Sequence, residues 1–321
     1  MKVGLIGCGY WGKKLIRNFY NSEHFDLAVV ADLDPLRLEE VRGSYLNLKT
    51  TENTDELVTD DSIELVVVAT PVKTHFELVK QALLHGKHVL VEKTLTNSYE
   101  SAFDLSSLAR QKNLHLIVDY TYLYSSEVKK IKGLIEANKH DSILKITSSR
   151  FGKGIVREDV SEIWDLSSHD FAIINYLIDE RPVSVKATKD TLNGDPNKPK
   201  IGLSVIYENG IEANFECTWY SEKKIRKMKF DSTYRSIIFD DTLLQNKIAI
   251  EKSSKLAYPS YEKDEALANL VSELYQVLKN GKKSKSPASF DLEIIKILEA
   301  AQNSLNQNGK ITQLKPLPIM L

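Results

Sequence analysis

Three glycines within six residues carry the first chemical signal. An apolar run, Val3-Gly4-Leu5-Ile6, leads into Gly7-Cys8-Gly9-Tyr10-Trp11-Gly12, and a helical pattern follows from Lys13 to Tyr20. In a G-x-G-x-x-G turn, Gly7 permits the tight bend, Gly9 lets a pyrophosphate approach the backbone, and Gly12 lets the helix pack closely on the strand. The free N–H groups at the helix start then face the phosphates. A second apolar strand, Leu27 to Ala31, ends in Asp32. A carboxylate there accepts from the adenosine ribose hydroxyls and repels a 2′-phosphate, so the expected cofactor is NAD rather than NADP. Leu33 offers no phosphate contact. Arg37 could reach a 2′-phosphate or lie on the exposed face of the next helix, whose start is marked by Asp34-Pro35. Asp32 could itself serve that helix start as a turn or capping acid.

Two further clusters suit proton and hydride chemistry. Ala69-Thr70-Pro71 and the run Gly86-Lys87-His88-Val89-Leu90-Val91-Glu92-Lys93 place polar groups at the carboxyl ends of two parallel strands, where open α/β sheets bind ligands. Lys93 directly follows its strand and is expected to project towards the cofactor; the plainer reading pairs it with Glu92. In Trp164-Asp165-Leu166-Ser167-Ser168-His169-Asp170, Asp165 and His169 stand four apart on one helical face. That spacing suits a histidine base held by a carboxylate. A solvated surface pair is the alternative, against which Ile163, Trp164, Leu166, Phe171, Ile173 and Ile174 surround the pair with apolar side chains.

The elements that position these residues follow a strand–helix rhythm. Apolar runs at Ile63 to Ala69, His88 to Val91 and His115 to Val118 alternate with helices from Thr74 to His85 and Tyr99 to Lys112. Such repeats imply a parallel sheet with helices on both faces. After a boundary near Tyr120 the texture changes. Ile143 to Thr147, Val183 to Asp190, Ile201 to Tyr207, Ile211 to Thr218, Lys227 to Phe230, Ser236 to Asp240 and Lys247 to Lys252 read as strands, several joined by short turns such as Glu208-Asn209-Gly210. Helices at about Ser161 to Ile178 and Ala266 to Asn280 are expected to cover one face of that sheet, and Leu292 to Asn306 to form the last helix. The uncovered face suggests burial by a second subunit.

With 321 residues the chain is too long for one ordinary core, and two domains are expected. The 43 basic and 44 acidic residues nearly cancel, which removes the bulk electrostatic argument for nucleic acid or an anionic membrane. Cys8 and Cys217 are far apart and lack metal-ligand spacing, so neither a disulfide scaffold nor a metal site is expected, and Cys8 reads as a small buried filler. No signal peptide or membrane-length apolar run is visible, and the expected compartment is cytoplasmic.

Taken in order and at these distances, the glycine turn, Ala69-Thr70-Pro71, the run ending in Glu92-Lys93 and Trp164-Asp165-Leu166-x-x-His169-Asp170 resemble the glucose–fructose oxidoreductase, inositol dehydrogenase and MocA family along essentially the whole chain. Thr218-Trp219, Lys224, Arg226 and Phe239-Asp240-Asp241 look like the Ser-Trp, Lys-x-Arg and Tyr-Asp-Asp of its nucleotide-sugar branch. The resemblance implies a sugar or cyclitol oxidoreductase in which Lys93 polarises the reacting oxygen, His169 exchanges its proton and Asp165 orients the imidazole. One departure is Thr94, where the family carries proline. Without proline, a cis bond at that place costs about 2.5–4 kcal/mol, so the turn is either rebuilt or kept. A second is Ser167-Ser168, expected to alter pocket shape more than chemistry.

The expected fold class is α/β: an N-terminal doubly wound parallel Rossmann sheet over residues 1–120, then a C-terminal α+β domain over residues 121–321 with a large, mostly antiparallel open sheet. Expected cofactor contacts are Gly7, Gly9, Tyr10, Trp11, Gly12 and Asp32, with Ala69, Thr70, Pro71, His75, Glu92 and Lys93 around the second and third turns. On the substrate side, Lys153, Arg157, Lys223, Lys224 and Arg226 are cations that could meet a diphosphate, with Arg150 beside them; each also reads as an ordinary surface charge. Tyr122, Tyr124 and Trp219 could stack on a sugar or base, or simply fill core, and Trp164 is a further expected substrate contact. The expected activity is NAD-dependent hydride transfer at a secondary alcohol of a nucleotide-linked hexose, at ring carbon 3. A free sugar or inositol dehydrogenase, an NAD-using glycosidase, and a dinucleotide-sensing regulatory protein are the alternatives. The expected partner is a small-molecule sugar or nucleotide sugar, with no nucleic acid and no membrane, in a homodimer or homotetramer formed through the C-terminal sheet.

Overall fold

The computed structural model describes residues 1–138, 140–153, 156 and 159–316. It divides into two compact units. The first comprises Met1–Tyr124 and Glu265–Leu292. In it β1 (Lys2–Ile6), α1 (Tyr10–Tyr20), β2 (Asp26–Ala31), α2 (Pro35–Ser44), β3 (Lys49–Thr51), α3 (Thr54–Thr59), β4 (Leu65–Val68), α4 (His75–Leu84), β5 (His88–Glu92), α5 (Tyr99–Gln111) and β6 (Leu116–Asp119) alternate. The six strands form one parallel sheet in the order β3-β2-β1-β4-β5-β6. Strand β4, Leu-Val-Val-Val, is buried throughout, as befits a strand covered on both faces. The order reverses between β1 and β4, so the turns after these strands flank the switch point at which doubly wound sheets bind ligands. Helix α2 starts where Asp34-Pro35 indicated: the Asp34 carboxylate accepts from Leu36 N at 3.0 Å and Pro35 occupies the first turn.

The second unit runs from Ser125 to Asp264 and resumes at Glu293. It contains α6 (Ser126–Glu136), β7 (Ile143–Lys153), α7 (Ser168–Ile178), β8 (Pro182–Leu192), β9 (Asp195–Tyr207), β10 (Glu212–Thr218), β11 (Tyr220–Ser232), β12 (Ser236–Asp240), β13 (Ile248–Lys252) and β14 (Lys255–Ala257). Helices α8 (Ala266–Asn280) and α9 (Ala288–Asn306) follow, then β15 (Thr312–Gln313). The nine-stranded sheet has the order β14-β13-β12-β11-β7-β10-β9-β8-β15 and is antiparallel except where β7 meets β10. Its period of two is plain in β10, where Ala213, Phe215 and Cys217 are buried and Glu212 and Glu216 exposed. Phe171 of α7 packs its ring 4.7 Å from that of Phe215, which fixes the helix on the apolar face.

Two sequence expectations are corrected. Helix α8 packs in the first unit, against α1, rather than covering the second sheet; its apolar stripe could not say which sheet it would cover. The stretch from Ser161 to Ile178 is not one α-helix, because Ile163–Ser167 forms a π-turn before α7. The sheet face opposite α7 is mixed: Lys145, Lys186, Glu212 and the ion pair of Lys200 with Glu216 at 2.7 Å share it with Ile206, Ile225 and Ile238.

Candidate active site

In the first unit the glycine turn fits a dinucleotide pyrophosphate on backbone grounds. Gly7 has φ +97°, and a Cβ there would lie 2.6 Å from the Ala69 carbonyl oxygen. A Cβ on Gly12 would lie 2.0 Å from the carbonyl oxygen of Gly7, so only glycine lets α1 start this close to β1. Gly9 differs: within 4 Å a Cβ would meet only the Arg37 guanidinium, at 3.9 Å, which leaves the outer side of the turn open to phosphate. Gly9 caps α1 with no side-chain hydrogen bond, and the first-turn N–H groups are thus available to an anion. Tyr10 is exposed on that turn, and Lys14 lies over both the Tyr10 and Trp11 rings.

Asp32 is bound into this turn. Its Oδ2 accepts from Cys8 N at 2.7 Å and from Cys8 Sγ at 3.3 Å, and its Oδ1 accepts from Asp34 N at 3.0 Å. Burial works to raise its pKa, but these donors and Arg37 prevail and hold it below the usual carboxylate range. Cys8 pays the opposite consequence: burial, then the neighbouring carboxylate, pushes its thiol up to about 12, so it is a filler and donor and not a nucleophile. Arg37 stands 3.8 Å from Asp32 and 3.2 Å from Asp34.

The turns after β4 and β5 are tied together. Thr70 and Thr74 share a hydroxyl hydrogen bond of 2.7 Å, and His75, expected to touch cofactor, is buried with its ring nitrogens 2.9 Å from the carbonyl oxygens of Thr70 and Thr94. Ala69 and Thr70 are half-buried, while Pro71 is exposed. The Lys93–Thr94 peptide is cis, so the backbone retains the form that the family's proline favours. Lys93 is half-buried at the carboxyl end of β5. Beside it, Glu92 is raised well above the usual range by burial and then by the charge of Asp119 on β6. Asp119 is raised by burial as well, against the opposing bonds from Thr121 Oγ1 at 2.7 Å and Trp11 Nε1 at 3.2 Å. Trp11 therefore anchors the glycine turn to a carboxyl pair on adjacent strands. Tyr122 lies half-buried in the turn after β6, and Tyr124 is buried with its hydroxyl 2.9 Å from Ser286 Oγ.

In the second unit the π-turn and α7 present Asp165 and His169, both half-buried, within one turn of each other. Trp219 Nε1 donates to Asp165 Oδ2 at 3.0 Å, fixing the carboxylate from β10's end. Trp164 is buried, as core rather than as a free stacking face. Arg150, expected on the substrate side, is 3% exposed; its Nε and Nη2 reach Asp170 Oδ1 at 2.7 and 2.6 Å, while Ser148 Oγ donates to Oδ2 at 3.0 Å. It is thus an internal anchor for the residue after His169. Arg226 lies opposite Arg150 in register, 3.4 Å from Asp241, which Lys247 also meets at 2.9 Å. Lys153, Lys223 and Lys224 are exposed, and Arg157 lies outside the described residues. Asp119, Asp170 and the Trp219–Asp165 bond went unread in the sequence; only Trp219, in the Thr-Trp pair, carried a signal. Among the described residues no group of three His, Cys, Asp or Glu side chains is set to hold a metal ion, and no helix is long and apolar enough to cross a membrane.

A parallel sheet with a glycine turn at its switch point and a carboxylate after β2 defines a dinucleotide-binding α/β protein. Residues 1–120 match the model of the glucose–fructose oxidoreductase, inositol dehydrogenase and MocA family, described as an oxidoreductase family with an NAD-binding Rossmann fold. It is 22% identical over 232 residues, 69% of its length and 58% of the relative's, to 1-carboxy-3-chloro-3,4-dihydroxycyclohexa-1,5-diene dehydrogenase of Comamonas testosteroni. The chain spans between 38% and 65% of the first curated relatives it matches. The whole fold is shared with UDP-N-acetylglucosamine 3-dehydrogenase of Acidithiobacillus ferrooxidans, at 20% identity and TM-score 0.84 over 96% of this chain and 98% of that one. It is shared equally with GenD2 from gentamicin A biosynthesis, solved in complex with NAD, at 17% identity and TM-score 0.86 over 98% and 97%.

Proposed function

We propose that the chain is an NAD-dependent oxidoreductase that moves hydride between nicotinamide and a secondary alcohol carbon of a nucleotide-linked hexose, at ring carbon 3. The observation that carries the reading is the lysine at the carboxyl end of β5, half-buried next to the turns of a built dinucleotide site. NAD, when bound, accepts the hydride. Gly9 and the start of α1 receive its pyrophosphate, and Asp32 its adenosine ribose. Lys93 keeps a positive charge beside the oxygen that becomes an alkoxide, which lowers the cost of removing hydride from its carbon. His169 takes the hydroxyl proton, and Asp165, held by Trp219, orients the imidazole. The nucleotide handle is supported by the cations Lys153, Lys224 and Arg226, and by the 3-dehydrogenase of matching fold. Subunits pair through the face of the nine-stranded sheet opposite α7.

The test is reduced-nicotinamide absorbance with the full chain, NAD or NADP, and UDP-, GDP- and dTDP-hexoses beside free sugars and inositols. A rise with NAD and one nucleotide hexose is expected. A rise confined to inositols or free sugars overturns the nucleotide handle, and a preference for NADP overturns the role given to Asp32.

A further inference from the structure

One peptide group in the first unit is gripped at both ends by ionisable side chains. The carbonyl oxygen of Thr94 lies 2.9 Å from His75 Nδ1, and the N–H of Leu95, in the same peptide plane, donates to Asp291 Oδ2 at 3.0 Å. His75 Nε2 lies 2.9 Å from a second carbonyl oxygen, that of Thr70. A carbonyl oxygen only accepts, and a neutral imidazole donates from one nitrogen alone. Both contacts are hydrogen bonds only if the ring carries two protons. His75 is 1% exposed and Asp291 fully buried, so both bonds to this peptide lie out of water, in surroundings that strengthen charge-assisted bonds. Tyr120 donates its hydroxyl to the other oxygen of Asp291. Burial pushes the Asp291 carboxyl up to about 6 against the bonds from Tyr120 and Leu95.

We infer that His75, as a buried imidazolium, and Asp291 are positioning residues for Lys93, clamping the Thr94–Leu95 peptide so that the backbone beside the lysine has one orientation. The inference rests on Lys93 meeting the reacting oxygen. His75 does more than brace one turn: by holding the Thr70 carbonyl with its second nitrogen, it locks the turn after β4 to the turn that carries the lysine. Loss of one ring proton turns one of the two contacts into lone pair against lone pair, and one turn is released. Ionisable groups near the clamp include Tyr120 from the end of β6, and Glu92 and Lys93 in the preceding residues of the same turn.

The test joins a spectroscopic signature to a kinetic split. In protein carrying 15N-labelled histidine, with the His75 signals assigned by their loss in His75→Gln, both ring nitrogens are expected to be protonated at neutral pH. An unprotonated ring nitrogen there overturns the cation. With the substrate found above, His75→Gln is expected to lower kcat on the order of 100-fold, the penalty of a lysine displaced by about 1 Å, while KM for NAD stays close to that of the parent. Asp291→Asn keeps an acceptor for Leu95 without the charge, and a smaller loss in kcat is expected. An unchanged kcat in both variants overturns positioning. Lys93→Ala separates the two claims: full turnover in that variant removes Lys93 from the mechanism, whereas the histidine signature does not depend on it.

Discussion

Glu92 and Asp119 end adjacent parallel strands, and the register sets them side by side. Burial raises both carboxyls, the charge of Asp119 raises Glu92 further, and the hydrogen bond from Glu92 works to lower Asp119, so the pair retains a proton under conditions where isolated carboxylates have none. Both pKa values are raised above their unfolded values. The stability contributed by the bound proton is therefore complete below about pH 4 and is lost as pH rises through the folded values. Thermal unfolding is expected to shift to lower temperature as pH rises from mildly acidic to mildly alkaline, and Asp119→Asn, which removes the repulsion, is expected to flatten that slope. An equally steep slope in the variant would assign the pH dependence elsewhere. Glu92 was legible as a site residue because it precedes Lys93. Asp119 was not: a single acid at a strand end carries no pattern until the sheet places it opposite another.

At the scale of elements, α7 holds His169 because Asp170, its neighbour, is fastened to β7. The fork of Arg150 on Asp170 is fully desolvated, with Ser148 on the second oxygen. Removing one member of a buried ion pair leaves the other charge uncompensated, at a cost of about 3–5 kcal/mol. Arg150→Met is expected to lower unfolding free energy in urea by that amount, and Arg150→Met with Asp170→Leu to recover much of it. A loss of under about 1 kcal/mol in the single variant would show that the pair is solvated and not the anchor argued for. The helices and strands of the first sheet were readable because β4, a continuous apolar run, and α4, ending at Gly86, obey local rules. The π-turn at Ile163–Ser167 and the placement of α8 were not, since the first depends on a local excess residue and the second on which of two apolar surfaces a stripe meets. Arg150 was misplaced for a related reason: alternation in β7 puts it on the buried face with Ile146 and Ser148, but a charged residue in a strand invites a surface reading.

For the whole molecule, the near balance of 43 basic and 44 acidic residues and the two-sheet architecture were both read correctly from pattern and composition. The free sheet face carries lysine and glutamate together with Ile206, Ile225 and Ile238, so an assembly through it would join polar contacts to apolar ones. The most direct test supplies a UDP-hexose bearing deuterium at carbon 3 with NAD and follows the reduced cofactor by mass spectrometry. The account predicts reduced nicotinamide heavier by one deuterium, with a 3-keto sugar as the other product. Unlabelled reduced cofactor, with deuterium kept at carbon 3 of the product, would contradict it.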